Sequence, residues 1–99
     1  MGWASRYIAR LALGEVVSFR PQGQSMAGRV ESGSLCTVEP IDVSRLVVGD
    51  VVLCTVRGRQ FLHLVKAIRD GRFQIGNNHG HVNGWVTGDG IHGRLVSTE

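Results

Sequence analysis

Fourteen glycines interrupt this 99-residue chain, and they constrain its fold more than any other feature. Glycine suits turns and left-handed backbone but weakens helix interiors. Here the glycines punctuate short segments, and beyond Gly14 the segments between them read as strands and turns. Apolar residues make up 42 % of the chain and charged residues 19 %, the balance of an ordinary globular protein. They are spread along the whole length, which argues against disorder. One domain spanning residues 1–99 is expected at this size, with a helix over 2–13 and a β region over 15–97.

Residues 2–13 place Trp3, Tyr7, Ile8 and Leu11 on one helical stripe beside Arg6 and Arg10, with Gly14 as the C-cap. Docking of this stripe on the sheet is the favoured use; a dimer face or a membrane-surface face is the alternative. Strands are predicted over EVVSFR (15–20), LCTVEP (35–40), DVVLCTV (50–56), GRQFLHLVKAI (58–68), RFQIG (72–76) and IHGRLVS (91–97). The 50–56 segment is apolar on both faces, as a central strand would be. Asp70–Gly71 is a hairpin turn. NNHGHVNG (77–84) is predicted as a polar loop.

The net charge is +3, but the arginines are scattered and form no block, which argues against nucleic acid as the partner. Cys36 and Cys54 lie in apolar runs with no secretory signal, so reduced, buried thiols are expected. No apolar stretch is long enough to span a bilayer. The default compartment is a bacterial-type cytoplasm. His79 and His81 form an H-x-H pair, with His63 and His92 elsewhere, but the cysteines lack metal-ligand spacing. No metal or other cofactor is expected.

Two polar residues stand out on the longest strand. Alternation puts Phe61, His63, Val65 and Ala67 on one face and Leu62, Leu64, Lys66 and Ile68 on the other. His63 and Lys66 therefore serve one site only if a bulge intervenes. Ser25 lies in a glycine-flanked stretch, GQSMAG. A serine hydroxyl becomes a nucleophile when a base takes its proton, and a neutral imidazole or a desolvated lysine can do so. Taken alone, each residue also has a structural role: Ser25 as a turn residue, His63 as a hydrogen-bonded core histidine.

In order, G-x-S-M (23–26), ESGSLCTVEP, LVVGDVVLCTV, FLHLVKAI and GRFQIGNN resemble the blocks of the signal-peptidase and SOS-repressor self-cleavage superfamily of serine peptidases. The resemblance covers about residues 16 to 96. It implies a mostly-β domain built on a coiled, partly barrel-like sheet with one short N-terminal helix. It implies Ser25 as nucleophile and His63 as base, with Lys66 as the alternative base. It also implies Asn77 and Asn78 in the catalytic block, and Gly23, Met26 and Asn83 in contact with substrate. One of Asn77, Asn78 and Asn83 would orient the imidazole. The substrate would be an extended peptide segment of a partner protein or of a neighbouring subunit, for instance in a homodimer.

The chain departs from the pattern in three places. Leu64 stands where an arginine usually follows the base. Ala27 and Gly28 stand where a proline usually follows Ser-Met, and this pair reads as a turn. Asn77 replaces an aspartate. These departures motivate a second expectation, a peptide-binding or regulatory module on the same fold without turnover.

Overall fold

The computed structural model describes residues 2–23 and 26–99. They form a helix α1 (Ser5–Ala12) followed by seven strands: β1 (Val17–Phe19), β2 (Cys36–Glu39), β3 (Val51–Val56), β4 (Arg59–Arg69), β5 (Arg72–Gly76), β6 (Val82–Thr87) and β7 (Ile91–Thr98). Short 3-10 turns precede β3 and β7. The strands make one antiparallel sheet in the order β1-β2-β7-β3-β4-β5-β6. The sheet is not closed, and the fold is mostly β with one short N-terminal helix, as expected.

Strand β3 occupies the middle of the sheet, as its two apolar faces predict. Val51 and Leu53 enter one core cluster with Leu62 and Leu64. Val52, Cys54 and Val56 enter the other with Val65 and Ile75. Both thiols are free and buried, and burial pushes Cys54 up to about 12, so it is an inert packing group.

Helix α1 is shorter than the predicted 2–13. Its start is held from β4: Gln60 Oε1 accepts the Ala4 N–H at 2.7 Å, Gln60 Nε2 donates to Ser5 Oγ at 3.0 Å, and Trp3 Nε1 donates to the Gln60 carbonyl. Its end is a Schellman arrangement, with Glu15 N–H bonded to Arg10 O and Gly14 N–H to Leu11 O. Gly14 takes φ +86° as that motif requires. The stripe docks on the sheet. Leu11 is buried, Tyr7 and Ile8 pack against the first cluster, and Tyr7 stacks on Phe19.

The predicted loop 77–84 is corrected. Its last three residues open strand β6, which pairs with β5 as far as Thr87. Gly84, at φ +148°, and a bulge at Asn83, between the pairs Ile75–Gly84 and Gly76–Val82, break the alternation that would mark a strand. Cross-strand pairing with β5 overrides these weak local signals. Strand β1 is also shorter than 15–20, with only 17–19 paired.

Candidate functional site

Of the predicted site residues, Ser25 lies outside the described residues; its neighbours Gly23 and Met26 lie within them. Met26 is buried in the first core cluster. Residues 26–30 make a compact turn closed by Arg29 and Val30 N–H groups on the Met26 carbonyl, so Ala27–Gly28 is the turn that the sequence suggests. Four side chains fix the segments on either side of Ser25. Ser32 Oγ accepts the Gly23 N–H at 3.1 Å, and Glu31 Oε1 accepts the Gly28 N–H at 2.9 Å. Asn78 Nδ2 donates to the Ala27 carbonyl at 2.9 Å, and Arg29 donates to the Gly49 carbonyl at 2.9 Å.

Beside these segments lies a cleft of about 430 Å³. Trp3, Met26, Val30 and Leu62 give it apolar walls, Glu31 and Ser32 a polar rim, and Gly23 and His63 also line it. Sequence reasoning missed Glu31, Ser32 and Gln60. The glutamate is the one of these with a local signal, three residues after a glycine whose N–H it accepts. Gln60, which holds Trp3 at the cleft wall, acts across more than fifty residues and has no such signal.

His63 is 5 % exposed and is the one buried polar or charged residue among those described. It shares a strand face with Phe61, whose ring stacks on the imidazole at 4.8 Å between centroids. Its Nδ1 lies 2.7 Å from Asn83 Oδ1. A carbonyl oxygen only accepts, so Nδ1 carries the proton and Nε2 is the basic nitrogen of the neutral ring. The bulge at Asn83 explains how a residue two strands away meets His63, since bulges re-aim side chains. Burial pushes the imidazole below its ordinary range; the Asn83 bond pulls it partly back, and nearby His81 adds to the lowering. His63 is therefore neutral near pH 7.

The three asparagines divide their tasks. Asn83 orients the imidazole. Asn78 ties the β5–β6 loop to the turn after Met26. Asn77 Oδ1 accepts the His79 and His81 N–H groups at 2.8 and 3.0 Å and so shapes its own loop. Lys66 is the bulged residue of β4, between the pairs Val65–Ile75 and Ala67–Gln74. The condition under which it could share a site with His63 is thus met, yet it does not line the cleft. Its Cδ and Cε lie over Gly76, where a Cβ would stand 3.1 Å from them. Trp85 is 44 % exposed and lines a separate groove.

Comparison with protein-family models, with curated proteins and with solved structures gives no match to this chain. Among the described residues, no helix is long and apolar enough to cross a membrane.

Proposed function

We propose that the chain is a serine peptidase-like domain acting on an extended peptide. Ser25 is the nucleophile and His63 its general base. The observation that carries this is a buried, neutral histidine in a cleft also lined by Gly23 and Met26, the two residues flanking Gln24–Ser25. Its tautomer is set by Asn83, leaving Nε2 as the proton acceptor. Nε2 takes the Ser25 Oγ proton as Oγ attacks the scissile carbonyl. The imidazolium then gives that proton to the departing amine. Water, activated by the same nitrogen, cleaves the acyl-serine and restores the hydroxyl. Asn83 holds the ring as the asparagine of a Cys-His-Asn arrangement does, and Asn78 acts as a positioning residue through Ala27.

A second reading is favoured by one observation. The imidazole partner is an amide, Asn83, which stabilises an imidazolium less than a carboxylate would. On that reading the cleft holds an extended peptide without cutting it, and the chain is a binding or regulatory module.

Labelling with a serine-reactive phosphonate probe, followed by intact mass, separates the two. The peptidase reading expects one adduct, absent in Ser25→Ala and in His63→Ala and retained in Lys66→Ala. Loss in Lys66→Ala with retention in His63→Ala would make lysine the base. No adduct on folded wild type would leave the binding module as the better account.

A further inference from the structure

A second recognition surface lies on β5 and β6, and it shares no lining residue with the cleft. Arg69 and Arg72 stand directly opposite each other at the end of the β4–β5 hairpin. Like charges in that relation are destabilising. Neither makes an ion pair among the described residues, where the ion pairs are Arg10–Glu15 and Arg94–Glu39. Gln74 pairs with Trp85 and Arg72 with Thr87, so Arg72, Gln74, Trp85 and Thr87 share one face of the sheet. Phe73 and Val86 pack into the core from the other face. The two arginines, Trp85 and the turn residue Asp70 line an open groove of about 510 Å³, so the lining carries two positive charges against one negative.

Strand β6 ends the hydrogen-bonded order of the sheet, with no further strand paired to it among the described residues; Val56 at the end of β3 and the following Arg57 pack near Gly84. The sequence of β6, VNGWVT, contains no charge and no proline to blunt the edge; the bulge at Asn83 interrupts its first half and leaves Trp85–Thr87 as the regular edge. The geometry points to a docking site for an extended acidic segment of a partner protein, added as a strand along β6. Such a strand sets one side chain opposite Trp85 and, two residues away on the same face, another opposite Thr87. Arg72 is then two strands away, roughly 10 Å, within the combined reach of a guanidinium and a glutamate. A carboxylate there relieves the opposed arginines through charge-assisted hydrogen bonds. The chain's net charge of +3 favours the same partner. Main-chain pairing along the regular part of this edge suits a peptide, whereas one tryptophan offers nucleic acid a single stacking platform.

The test is an NMR titration of the full chain with a short peptide of alternating glutamate and threonine, its lysine counterpart and a short oligodeoxythymidine. The glutamate peptide is expected to bind, to shift and protect the amides of Val82–Thr87, and to bind Ser25→Ala equally well. The double variant Arg69→Glu, Arg72→Glu, on exposed hairpin positions, is expected to weaken it about tenfold or more. Trp85→Ala is a second variant expected to weaken binding. Equal binding of the lysine peptide, preferential binding of the oligonucleotide, indifference to the arginine changes, or no binding by the glutamate peptide would each overturn the proposal. The site does not depend on Ser25 chemistry, so its failure and that of the peptidase reading are separable.

Discussion

A buried histidine makes stability depend on pH in a direction fixed by its environment. The folded-state value of His63 lies below the ordinary 6.5, so on acidification the unfolded chain takes up the proton first. Its contribution is complete above about pH 6.5 and is lost as pH falls through the folded-state value. His92, lowered by burial while its Nε2 lies 2.8 Å from Thr55 Oγ1, has the same sign. Urea midpoints should therefore fall between about pH 7.5 and about pH 5, and the slope should shrink in His63→Gln. A flat or rising profile on acidification would contradict the burial argument. Asn83→Ala removes the acceptor for Nδ1–H and should cost about 1–3 kcal/mol. Asn83→Asp puts a negative charge beside the ring and should raise its pKa, read directly by imidazole NMR. The separate roles of the three asparagines were not legible in the sequence. Their spacing put them in one polar loop, but choosing Asn83 over Asn77 needs the bulge on β6, a product of pairing with β5 rather than of local preference.

Elements are held by contacts between distant segments, and these give sharper tests than propensities do. A Cβ at Gly76 would collide with the His81 carbonyl and crowd the Lys66 stem. Gly76→Ala should cost about 1–3 kcal/mol by overpacking, seen as a lower denaturation midpoint. Gln60→Ala frees the Ala4 N–H and the Ser5 hydroxyl that Gln60 engages. It should cost about 1–2 kcal/mol and speed hydrogen exchange selectively in α1. Six of the seven strands were legible because apolar alternation and glycine turns agree. At Asp70–Gly71 the backbone takes φ of +51° and +73°, the left-handed pair that the dipeptide announces. Strand β6 was not legible, since Asn83 and Gly84 hide its alternation and its pairing comes from β5, its one hydrogen-bonded neighbour strand among the described residues.

At the scale of the whole molecule, the open sheet gathers chemistry that is dispersed along the chain. The start of α1, the segments flanking Ser25 and the middle of β4 meet at one cleft, and Asn83 on β6 is returned to it across β5. The sequence blocks named Ser25 and His63 together; what positions His63 is the bulged, strongly paired half of the sheet from β3 to β6. In the proposed function His63 is a neutral base serving Ser25. The most direct measurement is the pH dependence of the rate at which the phosphonate probe labels the folded chain. The rate should rise with deprotonation of one group below pH 6.5, follow the His63 imidazole titration seen by NMR, and vanish in Ser25→Ala. Labelling that persists in Ser25→Ala, or a rate that ignores the His63 titration, would contradict that role.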